Sequence, residues 1–351
     1  MPLRGILEVG FDGALEEGYR LQDLICVEEE FLPPIPVGDT PLWEPPRLRE
    51  KYSFPRLYLK DDTCNPTGSL KDRASYLVAG FARKHNIKNI VVASTGNAAS
   101  SMAGIGAAAG LQVTLFIPKS APKGKLAQAY QYGAEVIRVE GTYDLAFEQS
   151  LQRAGEGGTL CRNTAYHPLT IEGKKSVALE LCDQLGSTPE YIFVPTGDGV
   201  ILSGVYKGFC DLHRLGISPQ MPTVYAVQAE GSSAITRAWK RGGFTAPESS
   251  DTLADSISVD VPKGGYYALD KLNRYSGRCI TVSDKEILEA QHELASLSGL
   301  FAEPASSAAF AGFIKERENL PHEAKVVLLI TGNGLKDVDA ALRLFEPGTK
   351  Q

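Results

Sequence analysis

The chain has 351 residues, of which 43% are hydrophobic and 22% are charged, and its formal net charge is -6. This composition is ordinary for a globular protein long enough for two domains, and the negative charge argues against a nucleic-acid partner. No apolar run approaches the roughly 18 residues that a membrane span needs. Residues 1–10 also lack the basic start and apolar stretch of a signal peptide. We therefore expect a cytoplasmic protein with no membrane partner.

The cysteines are spaced too widely for a shared site. Their positions are Cys26, Cys64, Cys161, Cys182, Cys210 and Cys279, with no Cys-x-x-Cys pair. In a chain of this length such spacing predicts reduced thiols rather than a disulfide framework or a zinc site. No metal is expected.

Short β-branched runs alternate with helical patterns from about residue 56 onward. Strands are predicted at 57–59, 89–93, 112–117, 135–139, 191–195, 223–228, 279–282 and 325–330. Helices are predicted at 71–84, 98–109, 123–132, 143–154, 172–185, 201–215 and 284–297. Continuous apolar strands between helices indicate an α/β fold with two parallel sheets, each covered by helices on both faces. Residues 155–158 (GEGG) mark a domain boundary before a further strand.

Residues 65–73 (NPTGSLKDR) place a lysine in the first turn of a predicted helix. Ser69 is the predicted N-cap, and Asp72 three residues later completes a capping-box pattern. Lys71 would then lie where the helix dipole is positive, which disfavours the cation and favours the nucleophilic amine. The position indicates a lysine that reacts covalently, most simply as a Schiff base with a carbonyl cofactor.

Three further loops follow predicted strands, where ligands bind in open parallel sheets. Residues 94–97 (STGN) offer hydroxyls, an amide and free helix N–H groups, which suit a carboxylate and a ring oxygen. Residues 196–201 (TGDGVI) contain two glycines that let consecutive N–H groups point at a phosphate. Residues 331–334 (TGNG) follow the last apolar strand. Each loop alone is more simply explained by backbone geometry; the ordered combination with Lys71 is much more specific.

The order of these four motifs and the residues within them resemble the threonine synthase family, which belongs to the fold type II pyridoxal-phosphate enzymes. The resemblance runs from residues 37–42 (VGDTPL) through the Lys71 motif, residues 93–97, 171–175 (IEGKK) and 301–305 (FAEPA) to residues 331–337. It implies a large domain at 1–55 and 158–351 that binds the cofactor, and a smaller mobile domain at 56–157. The cofactor, pyridoxal 5'-phosphate, would lie in the interdomain cleft. A homodimer is expected from the family and from base rates for symmetric oligomers.

The resemblance also implies residue roles. Lys71 would carry the cofactor as a Schiff base, Asn97 would bond its 3-oxygen and Thr331 its pyridine nitrogen. The substrate's α-carboxylate would meet Ser94, Thr95 and Asn97. The 5'-phosphate would be held by backbone N–H groups of five consecutive residues: Gly197, Asp198, Gly199, Val200 and Ile201. The implied reaction is that of a carbon–oxygen lyase, converting O-phospho-L-homoserine and water to L-threonine and phosphate.

Two departures from the family pattern leave the substrate open. Many threonine synthases have an arginine where this chain has Thr170, and Lys174 or Lys175 would have to replace it as a point charge. Asp198 places a carboxylate in the 196–201 loop, close to the expected phosphate. The loop could still bind the phosphate if this side chain turned toward a lysine such as Lys207. The alternatives are an eliminating or β-replacing enzyme acting on serine, threonine or phosphoserine, and a binding protein without turnover.

Two other residues are ambiguous. His167, before a proline, is more simply a loop residue than a catalytic base, because Lys71 already supplies a base. Glu303 would either face the cofactor ring or cap the start of a helix.

Overall fold

The computed structural model describes residues 1–11, 20–121 and 126–346. It divides the chain into two compact units. Unit 1 comprises Met1–Gly5, Asp39–Cys64 and Val177–Gln351, and unit 2 comprises Ile6–Gly38 and Asn65–Ser176. No helix within the described ranges is both long and apolar enough to cross a bilayer.

Each unit contains one sheet built from strands in these positions: β1 Leu42–Trp43, β2 Leu57–Asp61, β3 Asn89–Ala93, β4 Gln112–Pro118, β5 Glu135–Val139, β6 Thr159–Cys161, β7 Tyr191–Pro195, β8 Thr223–Ala229, β9 Arg278–Val282 and β10 Val326–Ile330. The sheet of unit 1 has the order β1-β2-β10-β7-β8-β9, and that of unit 2 the order β5-β4-β3-β6. Only the pairing of β1 with β2 is antiparallel among the described strands. The predicted α/β fold with two parallel sheets is confirmed.

The α-helices described are α1 Pro46–Tyr52, α2 Lys71–Lys84, α3 Asn97–Ala109, α4 Ala127–Gln131, α5 Tyr143–Gly155, α6 Leu169–Leu185, α7 Val200–Arg214, α8 Ala234–Arg241, α9 Gly265–Arg274, α10 Asp284–Ser298, α11 Pro304–Glu316 and α12 Val338–Leu342. Part of the helix predicted at 123–132 lies outside the described residues, and α4 covers the rest of it.

The units do not have the bounds predicted for the two domains. Strand β2, assigned to the smaller domain, pairs with β10 in the sheet of unit 1. Strand β6, assigned to the larger domain, pairs with β3 in unit 2. The change from unit 2 to unit 1 falls inside α6, after Ser176. Long-range strand pairing therefore decides the division. The glycine cluster at 155–158 forms the last residue of α5 and the turn that leads to β6.

Both faces of the unit 2 sheet are covered, because successive side chains of a strand point to opposite faces. Ile90 and Val92 of β3 belong to one buried cluster, which includes residues of α2 and α3. Val91 and Ala93 belong to another, which includes Ala146 and Phe147 of α5. The continuous apolar strand is thus explained by two separate cores.

Both faces of the unit 1 sheet are also covered. One buried cluster joins alternate strand residues such as Phe193, Val227 and Leu328 to residues of α10 and α11. The intervening residues Ile192 and Val224 are also fully buried. Helices α7 and α8 pack on β7 and β9.

Candidate active site

Lys71 is the first residue of α2 and is half-buried. The predicted capping box is wrong: the N-cap position is Leu70, which makes no side-chain capping bond, and the fully buried Ser69 hydroxyl has no partner among the described residues. The Asp72 carboxylate instead accepts from the Thr67 N–H at 2.7 Å and from the Thr67 hydroxyl at 2.5 Å. Asp72 therefore fixes the loop that leads into α2.

A buried hydrogen-bond chain joins α2 to α3. Ser101 Oγ donates to Ser75 Oγ at 2.7 Å, and Arg162 Nε donates to the same oxygen at 3.2 Å. Ser75 lies four residues after Lys71, and Ser101 lies four residues after Asn97. Lys71 and Asn97 are therefore each about 6 Å, one helical turn, from a direct contact between their helices.

The 94–97 loop is anchored where β3 ends. The Ala93 N–H donates to Asn163 Oδ1 at 2.8 Å, and the Tyr143 hydroxyl donates to the Ala93 carbonyl at 3.1 Å. Asn97, 8% exposed, begins α3. Sequence reasoning missed Asn163, although an asparagine two residues after the end of a short strand was an available signal.

Within that loop, Ser94 Oγ accepts the Gly96 N–H at 3.2 Å. Ser94 and Thr95 are partly exposed. The structure thus brings Ser94, Thr95 and Asn97 together at a helix N-terminus, where N–H groups and the helix dipole favour an anion.

The start of α6 carries buried charge. Lys174 and Lys175 are 1% and 0% exposed, and Lys175 Nζ lies 2.6 Å from a carboxylate oxygen of Glu172. Thr170 is fully buried, and its hydroxyl donates to the His167 carbonyl at 2.8 Å. The Thr170 hydroxyl therefore serves the first turn of α6, and the positive charges of this segment are those of Lys174 and Lys175.

His167 takes a structural position at the same helix start. Its Nδ1 accepts the Leu169 N–H at 3.2 Å. Burial, together with the nearby charge of Arg162, lowers the pKa of His167 to about 4. The imidazole is neutral near pH 7 and serves as a helix cap, which agrees with the loop-residue interpretation.

In unit 1, residues 196–201 link β7 to α7. A Cβ at Gly197 would lie 2.8 Å from the Ile257 Cα, so only glycine fits there. Gly199, the N-cap of α7, has φ +86°, which favours glycine. The N–H groups of Gly197, Asp198 and Gly199 find no acceptor in the described part of the chain. The loop can therefore offer three N–H groups to an anion.

Asp198 uses its side chain locally. Its Oδ1 accepts the Val200 N–H at 2.9 Å. From the family resemblance we expect this N–H to bind the phosphate together with the N–H of Ile201, but in the structure it already has an acceptor. The suggested partner Lys207 forms a buried ion pair with Asp211, Nζ to Oδ1 at 2.6 Å. The carboxylate of Asp198 is thus part of the turn that starts α7.

Thr331 follows β10 and is 6% exposed. Its hydroxyl lies 2.8 Å from the Ser306 hydroxyl. Because β10 and β7 are parallel neighbours, Thr331 and the 196–201 loop both follow carboxyl ends at one edge of the sheet. Ser306 was missed by sequence reasoning, although it follows the FAEPA motif directly.

Glu303 occupies the N-cap position of α11 without a side-chain capping bond. Its N–H donates to the Gly332 carbonyl at 2.9 Å, and its carboxylate accepts from Ser256 Oγ at 3.3 Å. A Cβ at Gly332 would lie 2.5 Å from the same carboxylate. Glu303 therefore packs against the 331–334 loop.

Comparison with known proteins matches this arrangement to one family. Residues 35–332 match the family model described as pyridoxal-phosphate dependent enzyme. The chain is 36% identical over 319 residues to the threonine synthase of Methanocaldococcus jannaschii, covering 89% of this chain and 78% of that protein. It is 35% identical over 337 residues to the threonine synthase of Halalkalibacterium halodurans, covering 95% and 92%.

Solved structures share the fold. The T.th. threonine deaminase has a TM-score of 0.72 at 26% identity, covering 84% of this chain and 92% of that chain. The processed form of threonine deaminase isoform 2 from Solanum lycopersicum has a TM-score of 0.76 at 20% identity, covering 97% and 92%. The second likeness concerns the fold alone.

Proposed function

Because the chain belongs to the family of pyridoxal-phosphate-dependent enzymes, we propose that it acts as a threonine synthase. The chain is a lyase of this family and uses pyridoxal 5'-phosphate. The proposed reaction converts O-phospho-L-homoserine and water to L-threonine and phosphate. Similarity to threonine synthases along most of the chain carries this proposal.

The residues present fit the cofactor. Covalent attachment of an aldehyde as a Schiff base requires a lysine amine. The half-buried Lys71 at the start of α2 provides one. In the 196–201 loop, three N–H groups lack an acceptor in the described part of the chain, and Gly197 leaves no room for a side chain. The buried hydroxyl of Thr331 suits a ring nitrogen, and Asn97 suits the ring oxygen. We therefore assign Lys71, Asn97, residues 197–199 and Thr331 to the cofactor.

The cofactor's contribution, when bound, is to withdraw electrons from the substrate α-carbon. The Lys71 amine would remove and return protons at the substrate carbons. Ser94, Thr95 and Asn97 would bind the α-carboxylate at the start of α3. Lys174 would bind the substrate phosphate as a point charge.

A second candidate function is elimination or β-replacement on serine, threonine or phosphoserine. The observation that favours it is the state of Thr170, whose hydroxyl is buried and already donates to its own segment. No guanidinium stands at this position to hold a leaving phosphate in two hydrogen bonds. A substrate without a γ-phosphate would not need that contact.

A substrate panel separates the two functions. The holoenzyme is mixed in turn with O-phospho-L-homoserine, O-phospho-L-serine, L-serine and L-threonine, and the products are identified by mass spectrometry. Threonine and phosphate from the first compound alone would support threonine synthase. A ketoacid or a substituted alanine from another compound, with the first inert, would replace that proposal by the second function.

A binding protein without turnover is the remaining alternative. Lys71→Ala decides it, because the covalent path disappears and turnover should fall by on the order of three decades or more. Unchanged biological activity of this variant would favour the binding protein. A homodimer also remains a proposal, and light scattering of the purified holoenzyme would measure its mass.

A further inference from the structure

The first residues of the chain contact the backbone segment that leads into α9. The Leu3 N–H donates to the Lys263 carbonyl at 3.1 Å. Pro2, on one side of this bond, is buried. On the other side, the Arg4 guanidinium lies 5.4 Å from the centroid of the Tyr266 ring. The backbone bond of Leu3 is therefore supported by contacts of both its neighbours in the chain.

The residue after Lys263 carries the contact on to the 196–201 loop. The Gly264 N–H donates to the Asp198 carbonyl at 2.9 Å. A Cβ at Gly264 would lie 3.0 Å from the same carbonyl oxygen and 2.8 Å from Val200 Cγ2. A glycine at this position therefore permits the close approach of the two backbones.

Two peptide groups connect these hydrogen bonds. The Lys263 carbonyl and the Gly264 N–H belong to one of them. The Asp198 carbonyl and the Gly199 N–H belong to the other. Both peptide bonds are trans, and in a planar trans peptide the C=O and the N–H point in opposite directions. A donor that holds the carbonyl on one side therefore fixes the direction of the N–H on the other side.

The Gly199 N–H is the last donor of this series. It finds no acceptor in the described part of the chain, and it points away from Gly264. Hydrogen bonds in series polarise one another, so each donated bond makes the next N–H a stronger donor. The series begins at the Leu3 N–H, passes through two peptide groups and ends at an N–H that we assign to the cofactor phosphate.

We propose that Leu3 is a positioning residue for binding of the cofactor's phosphate. Its N–H orients and polarises the Gly199 N–H through the two peptide groups between them. The inference rests on the cofactor assignment made under the proposed function. It adds a residue, distant in sequence from the 196–201 loop, on which the strength of that loop as an anion site depends.

Two variants of residue 3 separate the backbone bond from the side chain. Leu3→Pro removes the N–H, and Leu3→Ala keeps it. Each full chain is titrated with pyridoxal 5'-phosphate and, separately, with pyridoxal, which carries the same aldehyde but no phosphate. Leu3→Pro should weaken the binding of pyridoxal 5'-phosphate about fivefold and change that of pyridoxal less than about twofold. Leu3→Ala should bind both compounds as the wild type does.

Three results would overturn the proposed role: wild-type binding by Leu3→Pro, equal weakening of both compounds by this variant, or equal effects of the two variants. A wild type that binds pyridoxal 5'-phosphate no more tightly than pyridoxal would overturn the inference together with the phosphate assignment. No turnover is measured, so these results do not depend on whether threonine is produced.

A measurement on the wild type decides if Leu3→Pro does not fold. The NMR resonance of the Gly199 amide proton should move downfield when pyridoxal 5'-phosphate binds, because this N–H then donates to an anion. It should keep its position with pyridoxal. A resonance that does not move with pyridoxal 5'-phosphate, or moves equally with both compounds, would overturn the inference.

Discussion

Ser75 Oγ and Ser101 Oγ lie 2.7 Å apart in the interior of unit 2 and join α2 to α3 one turn after Lys71 and Asn97. Two residues assigned to the cofactor therefore begin helices that share a buried hydrogen bond. Ser75 is the branch point, because Arg162 Nε also donates to it.

Removing the branch point should cost more than removing its neighbour. Ser75→Ala leaves two buried donors, on Ser101 and Arg162, without this acceptor, and we expect a loss of about 2 kcal/mol in the free energy of unfolding. Ser101→Ala leaves Ser75 bonded to Arg162 and should cost about 1 kcal/mol or less. Urea unfolding of the two variants provides the comparison. A Ser101→Ala loss equal to or larger than that of Ser75→Ala would contradict it.

The carboxylate of Asp198 places a negative charge in the loop assigned to the cofactor phosphate. Asp198→Asn keeps an oxygen for the Val200 N–H and removes the charge. We expect tighter pyridoxal-phosphate binding by about fivefold, equivalent to about 1 kcal/mol of relieved repulsion. The Kd is measured by titrating the full chain with the cofactor.

Asp198→Ala is the matched control for this substitution. It removes the charge and the bond to Val200, so α7 should lose about 1 kcal/mol of stability while the electrostatic gain remains. Weaker cofactor binding by Asp198→Asn would show that the carboxylate does not face the phosphate.

Gly173 of α6 lies against the backbone of α2. A Cβ there would meet the Arg73 carbonyl oxygen at 2.1 Å, which no side-chain movement can relieve. Gly173→Ala should destabilise the protein by more than about 3 kcal/mol. Gly155→Ala is the control, because a Cβ at the end of α5 would meet nothing within 4 Å. Its thermal midpoint should stay equal to or above that of the wild type; a wild-type midpoint for Gly173→Ala would contradict the close approach.

His167 makes stability depend on pH in the acid range. Its pKa is about 4 in the folded protein against 6.5 ordinarily, so the unfolded chain binds the extra proton between these values. The contribution is complete above pH 6.5 and is lost as the pH falls toward 4. His167→Asn keeps an acceptor for the Leu169 N–H and cannot titrate. The stability of the wild type relative to this variant should fall by about 3 kcal/mol across this pH range; a constant difference would contradict a buried neutral imidazole.

The strands and most helices of the sheets follow from local patterns. The bounds of β3, β5, β7 and α2 agree with those predicted. Helix α11 was not predicted: its sequence PASSAAFAGFIKE is rich in small residues, and most of its length is buried, so it lacks an amphipathic stripe. Strand β1 has two residues, too few for a periodic pattern.

The candidate site also contains residues that local sequence patterns identified and residues that they did not. Lys71 and the loops at 94–97, 196–201 and 331–334 were identified from their position after or before an element. Ser306 and Asn163 were not, because their roles come from contacts with residues 25 and 70 positions away. The predicted capping box failed because Thr67, five residues earlier, engages Asp72.

The most direct test of the proposed function is the reaction of O-phospho-L-homoserine with the holoenzyme in H₂¹⁸O. Breaking the Cγ–O bond and adding water at Cβ predicts threonine with one ¹⁸O in its hydroxyl and phosphate free of label, and neither product from Lys71→Ala. Homoserine with labelled phosphate, or no reaction of the wild type, would contradict the assignment as a threonine synthase.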